Sequence, residues 1–269
     1  MISRIAVLLS FLFLFAACSL PRPDHSADAG EARNVWQRFV ARGLAAETAT
    51  GPFRMSGVLR YTDAEGRSTR VSSLLWGNGA SASPYPLRLD LLAGVGNVVA
   101  KIHEDKASFM AYVPKDNTAH VRKQGLRSLL SFGVPIPLTL GDLVLLLTGR
   151  GGVLFLPGDG HVAAMPEKYA ATAGGFCYVL NQAAMPGILE LSPAGAPLSW
   201  REDRPEGWRI SFESQTDNPL LPQRLRIEHA GGYTALIVIR EFERLSSAFS
   251  PDQLALSPPP DALVRELEN

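Results

Sequence analysis

The alternation of apolar and polar residues along the chain predicts a helix followed by a set of antiparallel strands. Over residues 31–48, Trp36, Phe39, Val40 and Leu44 recur at helical spacing and form one apolar stripe. A period of two follows, with short turns between the runs, which is typical of an antiparallel sheet with one solvated face. The strand-like segments are "FRMSGVLRYTD", "RSTRVSSLLWGN", "PLRLDLL", "NVVAKIHED" and "ASFMAYVP".

The pattern becomes helical after residue 123. In "KQGLRSLLSFG", the apolar residues Leu126, Leu129 and Leu130 have helical spacing. In "TLGDLVLLLTG", Thr139 and Asp142 have the spacing of a capping box, and the leucine-rich run after them is apolar on all sides. We therefore predict two short helices, of which the second is buried on most sides.

A second group of strands is predicted after residue 149. Its segments are "GVLFLP", "GGFCYVLN", "GILELS", "GWRISFES", "QRLRIEHA" and "YTALIVIREFERL". Between the first two lies "GDGHVAAMPEKYAATA", which we interpret as a surface excursion, and the C-terminal tail contains a strand-like piece and a proline run. A sheet of about eleven strands curls or closes rather than staying open. The pattern therefore predicts a mainly β fold whose concave side is covered by the helical segments.

The first 17 residues have the features of a secretory signal peptide. Arg4 provides a positive charge, an apolar run extends over residues 5–15, and the small residues Ala16 and Ala17 suit a signal peptidase. The apolar run is shorter than the ~20 residues that a membrane-spanning helix needs. A cleaved signal peptide is therefore favoured, and a retained anchor helix is the alternative.

The segment "FAAC" resembles the lipobox of bacterial lipoproteins, in which the cysteine is lipidated and becomes the new N-terminus. The resemblance implies that Cys18 carries lipid. By analogy with enterobacterial lipoproteins, Ser19 in the next position permits sorting to the outer membrane. Residues 19–30 are rich in proline, serine, alanine and aspartate, as in flexible linkers. We divide the chain into a signal peptide (1–17), a lipidated flexible tether (18–30) and a single domain (31–269).

The charge balance excludes some classes of partner. Lys+Arg and Asp+Glu number 26 each, and 46% of the residues are hydrophobic. A nucleic-acid-binding protein would show a basic excess or stripe, so we predict no nucleic-acid partner and membrane attachment through the lipid on Cys18. The only other cysteine, Cys177, then has no partner for an intramolecular disulfide, and we interpret it as a buried, inert thiol.

No catalytic motif is visible in the sequence. G-x-S-x-G, H-E-x-x-H, P-loop and C-x-x-C patterns are all absent. His103, Glu104 and Asp105 are consecutive, and consecutive strand residues point to opposite faces, so we interpret them as a solvated turn rather than a metal site. His161 in "GDGH" is weak evidence for a ligand. We therefore predict no enzymatic activity, no metal and no cofactor.

The order of elements over residues 53–150 resembles the LolA/LolB-like bacterial lipoprotein family, with the closest local match to its outer-membrane receptors, LolB. The resemblance rests on a tryptophan at a strand end, further strands, a leucine-rich helix, a "PIP" connector and a second helix ending in glycine. These segments are "LLWGN", "LRLDLL", "AGVGN", "VVAKIHED", "SLLSFGVPIPL" and "LGDLVLLLTG". It implies an incomplete, strongly curved antiparallel β-barrel lidded by short α-helices over an apolar cavity.

The resemblance also implies a function, which is to bind acyl chains and to accept or insert lipoproteins or lipid at the outer membrane. The protein would face the periplasm, and a LolA-like periplasmic carrier would be a possible partner. The predicted cavity residues are Trp76, Leu129, Leu130, Leu143 and Leu146. The family carries an exposed apolar residue on the loop at "LLAGVGN", which implies that Leu92 and Val95 form a membrane-delivery loop.

Other interpretations of the same residues stay open. The apolar residues of the strands and helices would equally form a filled core, and Val95 would equally fold back and close the end of the barrel. A filled barrel predicts a structural or assembly lipoprotein that acts through protein contacts. A third possibility is a regulator that senses stray lipid.

Overall fold

The computed structural model describes residues 29–48, 51–79, 86–94, 96–123, 127–156, 165–214 and 221–267, and in α1 its side chains as far as residue 43. Its first part is helix α1 (Ala29–Thr48) followed by a meander of six strands. Each strand pairs antiparallel with the next along the chain. These strands are β1 (Phe53–Thr62), β2 (Ser68–Gly77), β3 (Leu87–Ala93), β4 (Asn97–Glu104), β5 (Ser108–Val113) and β6 (Thr118–Lys123).

A second antiparallel meander occupies most of the remaining chain. Its strands are β7 (Tyr169–Thr172), β8 (Gly175–Leu180), β9 (Gly187–Leu191), β10 (Pro197–Arg201), β11 (Trp208–Ser214), β12 (Pro222–His229) and β13 (Thr234–Arg244). Strand β13 pairs with β1 and so joins the two meanders into one sheet. A final strand, β14 (Leu263–Glu266), pairs in parallel with β6 and forms one edge, while β7 forms the other.

Three short helices connect the two edges of this fourteen-stranded sheet. They are α2 (Ser128–Ser131), α3 (Leu140–Leu147) and α4 (Gly152–Phe155), and we call residues 127–156 the lid. The chain leaves β6 near one edge and enters β7 at the other, so the lid must cross a face of the sheet. Its buried residues belong to the same apolar cluster as the inward-facing residues of the strands.

Helix α1 packs on the same inner face, over the second meander. Trp36 contacts Tyr178 of β8 with ring centroids 5.1 Å apart, and the Tyr178 hydroxyl donates a hydrogen bond to the carbonyl of Ala32. Phe39 contacts Phe155 of α4 at 6.4 Å. The helical stripe predicted from the sequence is therefore a core contact that joins α1 to both the sheet and the lid.

The C-terminal segment crosses the outer face. It contains helix α5 (Pro251–Leu254) and then β14. Leu254 is buried. Side-chain nitrogens of the first meander lie 2.7–3.2 Å from backbone oxygens of residues 249–255, and they belong to Trp76, Asn78, Arg88 and His103. The tail is thereby fixed along β2, β3 and β4 on the side opposite the lid.

The predicted fold class is confirmed: the protein is mainly β, with one curled antiparallel sheet and few helices. Two segments were wrong. The end of the expected surface excursion forms strand β7, which pairs with β8, and "GVLFLP" contains helix α4 and no strand. Gly149, at φ +77°, ends α3, and α4 then packs against α1 so closely that a Cβ at Gly152 would lie 2.9 Å from the Cα of Gly43. The segment lies in the helical layer, away from any strand edge.

Candidate functional site

A small apolar cavity lies between the lid and the inner face of the first meander. Its volume is about 40 Å³. The strands β1 to β4 and β13 form its floor, and the lid forms its roof. Its apolar lining consists mainly of Met55, Leu59, Leu75, Leu89, Leu91, Ile102, Ile237 and Ile239 from the strands and Leu129, Val134, Ile136, Leu143 and Leu147 from the lid.

The size of the cavity indicates a closed lid. A cavity needs roughly 10–15 Å³ of space to hold one water, whereas small-molecule sites have volumes of about 300–1,000 Å³. The cavity of about 40 Å³ therefore holds no more than a few waters. A long acyl chain fits between the lid and the sheet only after the lid moves away.

A buried carboxylate fastens the lid to the sheet. Glu104, the last residue of β4, is 4% exposed. It accepts hydrogen bonds from the hydroxyl of Ser128 at 2.6 Å and from the backbone N–H groups of Leu140 and Gly141, both at 3.1 Å. The first N–H groups of a helix have no partner within the helix and carry partial positive charge. Glu104 therefore holds the start of α2 and the N-terminus of α3 at one point on the sheet.

The start of α3 is fixed by its own sequence as well. The Thr139 hydroxyl accepts from Asp142 N, and the Asp142 carboxylate accepts from Thr139 N, so the predicted capping box is confirmed. Burial raises the pKa of Asp142 above its ordinary value. Nearer the start of the lid, Arg122 of β6 donates to the hydroxyl of Ser131 in α2 at 2.5 Å.

The structure brings together only part of the predicted cavity set. Leu129 and Leu143 both line the cavity. Leu130 is half-buried and packs against the edge of the core. Leu146 is buried but faces a different small void, between α1 and α4.

Trp76 lies on the opposite face of the sheet from this cavity. Side chains alternate along a strand, and on β2 it is Leu75 that points inward. The indole N–H of Trp76 donates to Gln253 O of the C-terminal segment at 3.2 Å, and the Arg88 guanidinium lies 5.8 Å from the ring centroid.

The floor of the cavity could have been predicted from the sequence. Its inward-facing residues on β1, β3 and β4 are the apolar half of each alternating run.

The two glycines of the turn between β3 and β4 have the positive φ angles that the sequence "AGVGN" predicts. Gly94 and Gly96 have φ of +56° and +81°, values that favour glycine. Leu92 is half-buried, and Val99 on β4 is 39% exposed. Val95 lies outside the residues that the structure describes, as does the predicted lipidation site Cys18.

The polar candidates of the sequence have other environments than expected. The interpretation of residues 103–105 as a solvated turn was wrong for Glu104, which is buried beneath the lid. Its neighbour His103 contacts the C-terminal segment, with Nδ1 2.8 Å from Leu254 O. His161 is outside the described residues. Cys177, which was expected to be buried, is half-buried, and this partial burial, reinforced by Glu190, raises the pKa of its thiol to about 11. Within the described ranges, no three His, Cys, Asp or Glu residues are grouped so that they could hold a metal ion.

Among the helices that the structure describes, none is both long enough and apolar enough to span a bilayer.

No protein-family model matches the sequence, and no curated protein matches it either. Solved structures do match. A LolA superfamily protein from Nitrosomonas europaea is 9% identical with a TM-score of 0.53, over 84% of this chain and 97% of that one. A DUF1329 family protein from Desulfovibrio piger is 10% identical with a TM-score of 0.54, over 84% of this chain and 99% of that one. The fold of this chain is therefore LolA/LolB-like, as the resemblance implied.

Proposed function

We propose that the protein binds acyl chains of lipids or lipoproteins between its lid and the inner face of its sheet. The observation that carries the proposal is the small apolar cavity at this interface, with its floor of strand side chains and its roof of lid side chains. The lid packs on the sheet through apolar side chains and is fastened to it by the hydrogen bonds of Glu104. Because the strands pair with one another and not with the lid, the lid can lift without unfolding the sheet.

The energetics of acyl chains explain why such a site is useful. Exposing a buried CH₂ group to water costs about 0.8 kcal/mol, so a chain of about 16 carbons costs on the order of 12 kcal/mol. A protein that carries or receives such chains must cover them with apolar surface. When the lid lifts, an acyl chain takes the place of lid side chains such as Leu129 and Leu143, and the strand residues beneath remain covered.

The proposal includes a location. Cys18 is the lipidated N-terminus, and the protein is anchored to the outer membrane with its domain in the periplasm. There it accepts or inserts lipoproteins or lipid, with a LolA-like carrier as a partner on the periplasmic side. The resemblance of "FAAC" to a lipobox and the Lol-like resemblance over residues 53–150 support this part of the proposal.

The turn between β3 and β4 is the proposed delivery loop. Leu92 is half-buried at its start, and Val95 is the apolar residue at the centre of "AGVGN". An apolar tip that enters the lipid interface lowers the barrier to chain transfer. Val95→Glu should leave acyl-chain binding and thermal stability unchanged but slow the release of bound chains into liposomes. Release at the wild-type rate would remove this role.

A binding experiment tests the cavity itself. Leu143→Asn places an amide in the roof of the cavity, where a water in the empty cavity of about 40 Å³ can pair with it. A bound chain excludes that water and leaves the amide buried without a hydrogen bond, which costs about 1–3 kcal/mol in the loaded state alone. We expect a fluorescent fatty acid to bind this variant roughly 5- to 150-fold more weakly than wild type. The matched control is Leu254→Asn, at a buried leucine on the outer face. Equal binding by wild type and both variants would contradict the proposal.

A second function is favoured by the small volume of the cavity. A core with a void of only about 40 Å³ between lid and sheet is also what a structural or assembly lipoprotein needs, because such a protein acts through contacts on its surface. The same titration separates the two functions. A structural or assembly lipoprotein would bind no fatty acid at any concentration below the micellar range. Its lid would stay closed throughout the titration.

A further inference from the structure

A larger pocket lies on the other side of the "PIPL" connector from the apolar cavity. Its volume is about 520 Å³, within the range of small-molecule sites. Val134 and Ile136 of the connector line the apolar cavity, whereas Pro137 and Leu138 line this pocket. The connection between β8 and β9 and the end of β10 form the rest of its wall. We call it the connector pocket.

A buried polar group without a partner lines the connector pocket. Trp200 of β10 is 4% exposed, and its indole nitrogen Nε1 has no hydrogen-bond partner among the residues that the structure describes. A buried tryptophan N–H usually finds a partner, so an unpaired one calls for an explanation. Gly187, also in the wall, lies against this nitrogen, and a Cβ there would be 2.9 Å from Nε1. The same Cβ would meet Arg201 O of β10 first, so close strand packing requires glycine here, and as a result no side chain of residue 187 covers this edge of the indole.

The charged groups of the pocket are arranged around one carboxylate. Glu202 binds Arg127 on one oxygen at 2.8 Å and Arg204 on the other at 2.5 Å. Arg127 holds a backbone φ of +66°, a conformation that is uncommon for residues other than glycine. Strained residues of this kind cluster at functional sites.

The balance of these charges selects the class of ligand. The two guanidinium groups already share Glu202, and Asp142 and Asp203 add negative charge to the wall. A phosphate or carboxylate ligand would meet these carboxylates, and an ammonium group would meet the two arginines. A hydroxyl group carries no charge and both donates and accepts hydrogen bonds. It suits a pocket that offers the N–H of Trp200, the amide of Asn181 and carboxylate oxygens together.

We propose that the connector pocket binds an uncharged, polyhydroxylated group, either a free saccharide or the sugar head of a glycolipid, with a ligand hydroxyl oxygen accepting from Trp200 Nε1. The site is separate from the proposed acyl-chain cavity and does not depend on it. If the ligand is a glycolipid, its head lies on one side of the connector and its chains on the other.

The test uses two soluble probes, maltose and n-octyl-β-glucoside below its micellar concentration, with binding to the purified protein measured by calorimetry. Trp200→Phe keeps an aromatic ring and removes the N–H. Loss of one neutral hydrogen bond weakens binding by about three- to tenfold. The control is Trp208→Phe, because Trp208 is equally buried but packs against His229, with ring centroids 4.7 Å apart, outside the pocket. Asn181→Ala, at an exposed residue of the wall, provides a second variant that does not depend on the core.

We expect saturable binding of at least one probe, weakened by Trp200→Phe and by Asn181→Ala and unchanged by Trp208→Phe. Binding of maltose as tight as that of octyl glucoside indicates a free saccharide, and binding of octyl glucoside alone indicates a glycolipid head. Binding of neither probe, or equal effects of the two tryptophan variants, would overturn the proposal. So would dodecylphosphocholine binding that depends on Trp200 when the two sugar probes do not bind. Fatty-acid binding by Trp200→Phe should equal that of wild type, which separates this site from the acyl-chain cavity.

Discussion

Replacing Glu104 by glutamine should loosen the lid while leaving the sheet intact. The carboxylate accepts hydrogen bonds from Ser128 and from the N–H groups of Leu140 and Gly141, so it holds α2 and α3 against the end of β4. Glutamine has nearly the same shape but only one acceptor oxygen. Its NH₂ group would face N–H donors at the N-terminus of α3, where a negative charge is favoured.

The loss can be estimated from the contacts. Hydrogen bonds to a charged group contribute about 1.5–3 kcal/mol each and neutral ones about 0.5–1.5 kcal/mol. Glutamine retains some of the contacts in neutral form, which leaves a net loss on the order of 2–3 kcal/mol in the closed state. That loss raises the population of the open lid by about 30- to 150-fold. If chains enter only when the lid is open, their apparent affinity rises by the same factor for as long as the closed form predominates.

Two measurements follow the lid directly. Hydrogen exchange of the amides in Leu140–Leu147 reports its opening, and stopped-flow mixing with a fluorescent fatty acid reports the rate of binding. The matched control is Glu190→Gln on the outer face, where the carboxylate accepts from the hydroxyls of Thr172 and Ser199. Glu104→Gln should speed both exchange and binding, and the control should change neither.

One result would refute this reasoning. If Glu104→Gln exchanges its α3 amides faster but binds fatty acid at the wild-type rate, the lid opens without admitting a chain. The acyl-chain site would then have to lie elsewhere. If α3 exchanges at the wild-type rate, Glu104 does not hold the lid closed.

Three further predictions concern other parts of the chain. Metabolic labelling with a fatty-acid analogue should tag the wild type and not Cys18→Ala, and equal labelling would exclude lipidation at this residue. The raised pKa of Cys177, about 11, leaves about one thiolate in a thousand at pH 8. Its reaction with a disulfide reagent should be slow at pH 8 and accelerate toward pH 11, and rapid labelling at pH 8 would contradict the raised pKa. Leu254→Ala should cost about 2–5 kcal/mol and expose residues 249–267 to protease, whereas an unchanged digestion pattern would mean that Leu254 does not fasten the tail.

The sequence predicted the fold well where one face of each strand is apolar and the other polar. Strands β1 to β4 follow this rule, and their inward residues, together with those of β13, form the floor of the cavity. Strands β6, β7 and β10 were not predicted, and β7 lies in the segment that we interpreted as a surface excursion. In β6, Ala119 is buried while its polar neighbours His120 and Arg122 are half-buried, so the contrast between the two faces is weak. In β10, proline at the first position and a single buried residue, Trp200, hide the pattern.

The site was harder to predict because it depends on partners that are distant in sequence. Trp76 sits in an apolar run, but the strand register turns it toward Arg88 and the C-terminal segment. Glu104 looked like part of a solvated turn, and only the return of the chain at Ser128 and Leu140 shows that it is buried. Periodicity identifies which residues share a face, but it does not show which distant segment covers that face.

Native mass spectrometry of the purified protein without its lipid anchor is the most direct test of acyl-chain binding. The wild type should carry one or more co-purified lipids or fatty acids, and Leu143→Asn should lose them while Leu254→Asn keeps them. Reloading the stripped protein with palmitate should restore the added mass and increase hydrogen exchange in the lid. A wild-type protein that appears only at its own mass, before and after mixing with palmitate, would contradict the proposal that the lid and sheet enclose an acyl-chain site.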